Sequence, residues 1–183
     1  MQDLSLHLLD LVQNSIAAGA TQIVINVEED EEKDWLSIAI EDNGRGMDNE
    51  TIKRATDPFY TTRTTRKVGL GLPLFKATTE RCGGHLNLQS TVGKGTRIEA
   101  EFQLGHIDRP PFGRIDETMV TLILCNAEID FVYSHKTKYG QFLLDTREIR
   151  KIIGELPINN VEVITWIQSY IREGLNEING GVL

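Results

Sequence analysis

Two short glycine-containing segments stand where a chain could hold a phosphate group, and a third follows them in a predicted hairpin. The first is Asp42-x-Gly44-x-Gly46, the second is Gly69-Leu70-Gly71-Leu72, and the third is Gly93-Lys94-Gly95-Thr96. Phosphate sites are usually built from backbone N–H groups, from glycines that let the chain approach, and from a helix N-terminus. One Gly-x-Gly by itself is common in turns. The order of all three, behind a helix that carries an asparagine, predicts a phosphate-binding site.

A polar column runs along that first predicted helix, residues 4–19. One side of the helix is apolar at helical spacing. The other side carries Asp3, His7, Asp10 and Asn14, spaced by four, three and four residues, so these side chains stack on one face. His7 could be a phosphoacceptor, could tune Asp10, or could be an ordinary histidine on a polar face. The sequence favours the last interpretation.

The elements that must position these residues alternate between strands and helices. Strands are predicted at 22–27 and 35–41, and a turn at 42–46 leads to a short helix near Asp48. Residues 57–68 are polar and irregular, and a helix is predicted from Gly69 to Cys82. Residues 85–90 and 96–104 then form a predicted hairpin.

Four segments resemble the motifs of the Bergerat-fold ATPases, which include histidine kinases, gyrase B, the ninety-kilodalton chaperones and mismatch-repair ATPases. Residues 10–20 resemble the N-box, 42–47 the first glycine box, 57–63 the phenylalanine box and 69–74 the second glycine box. The resemblance covers roughly Asp3 to Leu104. The phenylalanine box and the short lid are most similar to sensor histidine kinases, whereas the segment around Asn14-Ser15 leans toward mismatch-repair ATPases.

The resemblance implies an α/β (α+β two-layer sandwich) fold, in which a mixed β-sheet is covered by helices on one face. It also implies that ATP and Mg²⁺ bind, with Asn14 as the metal ligand, since a hard cation prefers oxygen donors. Asp42 would accept a hydrogen bond from the adenine amino group, Met47 would line the base pocket, and Thr96 would support the base. The implied ATP-binding residues are Asn14, Asp42, Gly44, Gly46, Met47, Phe59, Thr62, Arg63, Lys67, Gly69, Leu70, Gly71, Leu72 and Thr96.

Asp10 departs from the pattern of the hydrolytic members, which place a glutamate four residues before the asparagine as general base. An aspartate is shorter by one methylene, so its carboxylate would fall short of the attacking water by roughly an ångström. Asp10 therefore stays a candidate base, and rapid hydrolysis is in doubt. The residues of the lid, among them Arg63 and Lys67, would either reach the phosphates or simply be solvated.

Composition excludes several classes of protein. The chain has 183 residues, a net charge of −8 and two cysteines, so no disulfide framework is predicted. It has no apolar run of the roughly 20 residues that span a bilayer. An acidic balance argues against a surface for duplex nucleic acid. We therefore expect a cytoplasmic protein without membrane or nucleic-acid partners. The acidic run 28–34 is interpreted as a solvated hairpin loop, with a docking site for a basic partner as the alternative.

A boundary is predicted after the ATP-binding domain (1–104), with a linker at 105–117 and a small α/β C-terminal extension at 118–183. The extension is predicted to contain strands at Met119–Cys125, Asp130–Ser134 and Gln141–Leu144, followed by two helices. The second helix, Val161–Ile178, carries an aliphatic seam. This seam either packs on the preceding strands or forms a groove for a homodimer or another partner. The residues of the seam are Ile164, Ile167, Ile171, Leu175 and Ile178.

The leading functional hypothesis is a stand-alone kinase-type regulatory protein that transfers the γ-phosphate of ATP to a separate partner or phosphoacceptor. The alternatives are an ATP-gated binding module that acts as a conformational switch, and a weak ATPase. The sequence leaves open the identity of the partner and the oligomeric state, including a homodimer.

Overall fold

The computed structural model of the protein describes residues 3–55 and 71–180. Within these ranges the chain forms an ordered succession of helices and strands. They are α1 (Leu4–Ala17), β1 (Gln22–Asp30), β2 (Trp35–Asp42), α2 (Asn49–Ala55), α3 (Gly71–Arg81), β3 (His85–Thr91), β4 (Gly95–Gln103), α4 (Ile115–Cys125), β5 (Asp130–Thr137), β6 (Gly140–Asp145), α5 (Thr146–Ile153) and α6 (Val161–Ile178).

Helix α1 begins where the sequence supplies an N-cap. The Asp3 carboxylate accepts a hydrogen bond of 2.9 Å from the Leu6 N–H, an interaction that stabilises a helix by about 1 kcal/mol. The first turn also forms hydrogen bonds with a distant segment of the chain. The N–H groups of Leu4 and Ser5 donate to the carbonyls of Pro111 and Phe112. The segment that follows β4 therefore fixes the start of the helix that carries the polar column.

The six strands form a mixed sheet in the order β3-β4-β2-β1-β5-β6. Neighbouring strands are antiparallel except β1 and β5, which are parallel. Along β1 the side chains of Ile23, Ile25 and Val27 are buried, whereas Asn26 between them is exposed. Such alternation places one face of the sheet against helices and the other toward solvent. The predicted fold class is confirmed.

The prediction of a strand at Met119–Cys125 is wrong, because these residues belong to helix α4. The helix starts at Ile115, within the stretch that was predicted as a linker. Short apolar runs do not distinguish a buried helix from a buried strand by periodicity alone. Here Ile115, Met119 and Leu122 repeat at four and three residues, and all three are buried. The other two strands predicted beyond residue 118 correspond to β5 and β6.

Residues after 118 join the same sheet as the first 104. Strand β5 lies directly beside β1, with Ile25 opposite Tyr133, and the buried apolar side chains of both parts form one core cluster. The division of the chain into two domains stays a prediction. Within the described residues, no helix is both long and apolar enough to cross a membrane.

The aliphatic seam of α6 packs inside the protein. Ile167, Ile171, Leu175 and Ile178 are buried, and α6 lies against α4 and β6. An ion pair reinforces this packing, because Arg172 Nε lies 2.7 Å from an oxygen of the buried Asp116 carboxylate on α4. The seam is therefore accounted for by intrachain packing.

Candidate functional site

The Asp42 carboxylate lies at the end of β2, and its side chain is almost fully buried. One oxygen accepts a hydrogen bond of 2.6 Å from the Ser15 hydroxyl, and the other accepts one of 2.9 Å from the Gly44 N–H. Each carboxylate oxygen has two lone pairs, so both retain the capacity to accept another donor. The two bonds fix the orientation of the group, which makes Asp42 a preorganised acceptor.

The loop after Asp42 is tied to the end of α1. The Asn43 side-chain oxygen accepts from the N–H groups of Thr21 and Gln22 at 2.9 and 3.0 Å. The Arg45 N–H donates to the Ala18 carbonyl at 2.9 Å. Because the loop is bonded on this side through both backbone and side chain, the position of Asp42 relative to α1 is set by local contacts.

The other side of this loop packs against the turn between β3 and β4. This close contact requires one glycine on each side, Gly46 in the loop and Gly95 at the start of β4. A Cβ on Gly46 would lie 2.0 Å from the Thr91 carbonyl oxygen, and a Cβ on Gly95 would lie 1.8 Å from the Asp42 carbonyl oxygen. Both residues also have positive φ, +65° and +109°, a region that favours glycine. The glycines predicted from sequence thus allow close backbone packing around Asp42.

Ser90 links Met47 to Thr96. Its hydroxyl oxygen accepts from the Met47 N–H at 2.8 Å, and it donates to the Gly95 carbonyl at 2.9 Å. It also lies 2.9 Å from the Thr96 hydroxyl. In the register between β2 and β4, Thr96 is the residue opposite Asp42. Five of the predicted site residues, Asp42, Gly44, Gly46, Met47 and Thr96, are therefore brought to one end of the sheet.

A second group of predicted residues lies where α1 meets the start of α3. A Cβ on Gly71 would lie 3.3 Å from Asp10 Cβ and 3.6 Å from a carboxylate oxygen of Asp10. Asn14 is exposed one helical turn after Asp10, whereas Leu72 is buried in the core. The structure thus places Asp10 beside the N-terminus of α3, the end of a helix that favours negative charge.

Six predicted site residues lie outside the described part of the chain. They are Phe59, Thr62, Arg63, Lys67, Gly69 and Leu70. Their proposed contacts with ATP stay predictions.

The interpretation of His7 as an ordinary polar-face histidine is wrong. Only 2% of His7 is exposed, and its ring centroid lies 5.2 Å from that of Phe75 on α3. The reason is tertiary, because α3 packs against the side of α1 that the sequence alone would leave to solvent. Within the described residues its Nδ1 has no hydrogen-bond partner. Burial lowers the pKa of His7 below its ordinary value of 6.5.

This burial predicts an acid-dependent loss of stability. Because the pKa of His7 is lowered in the folded state, the unfolded chain binds more protons than the folded chain as pH falls through 6.5. The free energy of unfolding therefore declines as the pH is lowered through this range. Substitution His7→Leu removes this proton uptake and should make the decline between neutral and mildly acidic pH shallower. Urea unfolding across this pH range measures it, with His85→Gln, at an exposed histidine, as the control. Equal pH slopes in His7→Leu and the unsubstituted protein would contradict the assignment.

Sequence reasoning did not single out Ser15 and Ser90 as site residues. A signal existed for Ser15, which follows Leu8 and Leu11 at helical spacing and so falls on the apolar side of α1. A hydroxyl on a buried face requires a partner, and Asp42 supplies it. Ser90 had no comparable signal, because its role arises from the packing of two separate turns.

This geometry belongs to a known class. Residues 2–106 match the model of the family described as "Histidine kinase-, DNA gyrase B-, and HSP90-like ATPase". The match covers more than half of the chain, and the chain belongs to this family. Membership supports the binding of ATP.

Several curated relatives with similar sequences are named as sensor proteins or kinases of bacteria. A predicted sensor protein of Shewanella frigidimarina is 38% identical over 109 residues, which are 58% of this chain and 17% of that protein. The sensor protein kinase FleS of Pseudomonas aeruginosa is 40% identical over 88 residues, 48% of this chain and 22% of the relative. The sporulation kinase C of Bacillus subtilis is 30% identical over 96 residues, which are 52% of this chain and 22% of that protein. The chain thus spans about a fifth of the length of these relatives.

A solved structure shares the fold over a longer stretch. It is a crystal structure of the N-terminal domain of a DNA repair protein, with a TM-score of 0.55 and 22% sequence identity. The likeness covers 86% of this chain and 59% of the other. That share is larger than residues 2–106 can supply, so the likeness of fold includes part of the C-terminal residues.

Proposed function

We propose that the chain binds Mg-ATP and acts as a kinase-type regulatory protein that transfers the γ-phosphate to a separate partner protein. The observation that carries the proposal is the buried Asp42 carboxylate, whose two oxygens are oriented by Ser15 and Gly44. An oriented acceptor beside close-packed backbone recognises an amino group on a flat ring. The exocyclic amine of adenine is such a donor, whereas guanine presents a carbonyl oxygen at the corresponding position.

The phosphates are proposed to lie toward Gly71 and the N-terminus of α3. The unpaired N–H groups at a helix start attract anions, and the small size of Gly71 leaves room beside Asp10. Asn14 on the same face of α1 would contribute its amide oxygen to Mg²⁺, with the phosphates supplying further oxygen ligands. Asp10 stands in the position of a general base, where its short side chain disfavours activation of water.

Transfer to a partner, rather than hydrolysis, is supported by two observations. Several of the curated relatives are named as kinases, and position 10 holds aspartate. A second candidate function, an ATP-gated binding module with weak ATPase activity, is favoured by the same aspartate, since binding needs no base. The two functions differ in the fate of the γ-phosphate.

A γ-phosphate assay separates them. The protein is incubated with ATP labelled at the γ-phosphate, alone and with a protein extract of the source organism. Label on a separate protein, absent with the Asp42→Asn variant, supports the kinase. Free phosphate without labelled protein supports the weak ATPase, and tight binding without either product supports the switch. No binding of ATP to the folded protein would overturn the whole proposal.

The metal role of Asn14 makes a separate prediction. Substitution Asn14→Ala should weaken the binding of Mg-ATP far more than the binding of ATP in EDTA, because the lost ligand is one to the ion. We expect a loss of about tenfold or more with Mg²⁺, the size of a charge-assisted contact. Calorimetry with and without the metal measures both values, with the neighbouring exposed Gln13→Ala as control. Equal losses in the two conditions would assign Asn14 a structural part instead.

A further inference from the structure

The outward side of α6 carries a continuous stripe of acidic and aromatic side chains, here called the acidic–aromatic stripe. Its members follow one another at intervals of four, four, three and four residues, so at about 100° per residue they fall within an arc of about 80°. All five are exposed, and the buried aliphatic residues of α6 occupy a separate arc. The stripe consists of Glu162, Trp166, Tyr170, Glu173 and Glu177.

The two aromatic rings of the stripe form a fixed platform. Trp166 and Tyr170 are stacked, with ring centroids 5.3 Å apart and an interplanar angle of 7°. The Tyr170 hydroxyl donates to the Leu143 carbonyl at 3.1 Å, and its ring lies 5.2 Å from that of Phe142. Half of Trp166 remains exposed. Because the rings are held before any partner arrives, little conformational entropy is lost when one binds.

The three carboxylates of the stripe are not neutralised within the described residues. None of Glu162, Glu173 and Glu177 makes an ion pair there, and Arg172, the single cationic residue of α6, is bonded to Asp116 on α4. The acidic run 28–34, whose first three residues extend β1 and do not belong to the loop, differs in this respect. Two of its carboxylates are paired with lysines, Glu28 with Lys136 and Glu31 with Lys138.

We propose that the acidic–aromatic stripe is a docking surface for a basic, arginine-bearing segment of a partner protein. A guanidinium group stacks on the face of an aromatic ring and also forms bidentate hydrogen bonds with a carboxylate. The stripe presents both kinds of group side by side on one helix. The net charge of −8 would also steer a basic partner toward the protein.

Other occupants fit the stripe less well. A second copy of this chain packed on the same stripe would bring unpaired carboxylates together, and like charges at an interface oppose binding. A purely apolar segment would bury these carboxylates without partners, which carries a desolvation penalty. The proposal does not depend on the nucleotide site, because no residue of α6 belongs to it.

Calorimetry with an arginine–serine octapeptide tests the proposal on the full chain. We expect the peptide to bind, with an affinity that falls as salt is added, and a lysine–serine peptide to bind more weakly. Replacing Glu162, Glu173 and Glu177 together by glutamine should lower the affinity by about tenfold or more, the scale of lost charge-assisted contacts. The matched control is the triple replacement of Glu28, Glu31 and Glu32 by glutamine, which removes the same charge and should change the affinity by less than about threefold.

Substitution at the platform gives an independent measurement. Trp166→Leu should lower the affinity for the arginine peptide by about tenfold. Trp166→Phe should retain most of the affinity, because a ring face remains. The affinity for ATP should be unchanged in both variants. A failure of the proposed ATP binding can therefore be told apart from a failure of the docking surface. Absence of peptide binding at low salt, or equal losses in the two glutamine triples, would overturn the docking surface. So would self-association in light scattering that Trp166→Leu abolishes, since the stripe would then bind a second copy.

Discussion

Substitution of Asp42 by asparagine is expected to lower the affinity for ATP by about ten- to a hundredfold, the effect of losing one charge-assisted hydrogen bond of about 1.5–3 kcal/mol. The reason is visible in the two bonds that already orient the carboxylate. Each oxygen accepts one donor, from Ser15 and from Gly44. An asparagine carries no charge and has a donor nitrogen in place of one acceptor oxygen, so the site loses both the charge and one of the two atoms that could accept from adenine.

Calorimetry of ATP binding measures this effect, and a thermal melt shows that the variant is folded. Ser15→Ala is the matched control, because it removes the donor on Asp42 while the carboxylate itself remains. A smaller loss of affinity is expected for Ser15→Ala than for Asp42→Asn. If folded Asp42→Asn protein bound ATP as tightly as the original, Asp42 would not recognise the base.

The second large effect is expected at Gly95, where alanine should destabilise the protein by about 4 kcal/mol or more, a size reached when a strained backbone is also overpacked. A Cβ at this position would overlap the Asp42 carbonyl oxygen at 1.8 Å, and its three nearest neighbours are all backbone atoms of Asp42 and Asn43, so no flexible side chain could move away. Because the clash is with Asp42 itself, ATP binding should be lost together with stability.

Gly93 is the control, two residues away in the same turn. Its φ of +77° also lies in the left-handed region, but nothing is found within 4 Å of an added Cβ. Gly93→Ala should therefore cost only about 1 kcal/mol, the conformational penalty by itself. Chemical denaturation of both variants measures the difference. Similar losses at the two glycines would show that positive φ, and not the close packing on Asp42, determines the effect.

The sequence by itself determined the family, and it predicted the residues that meet around Asp42. Glycines that permit close approach, an acid at the end of a strand and an asparagine on a helix are local requirements, and they leave a local pattern in the chain. The order of Asp42-x-Gly44-x-Gly46 and the later glycine segments was therefore readable before any contact was known. The fold class followed from the same resemblance, and the six-stranded sheet confirms it.

Only the tertiary structure decided what depends on distant parts of the chain. The segment Met119–Cys125 is apolar enough for either strand or helix, and its packing against α1 and α6 selects the helix. His7 is buried because α3 lies on a face that looked polar. Ser15 and Ser90 gain their roles from partners 27 and 43 residues away in sequence. Such contacts depend on how elements are brought together in space, and periodicity along one element does not encode them.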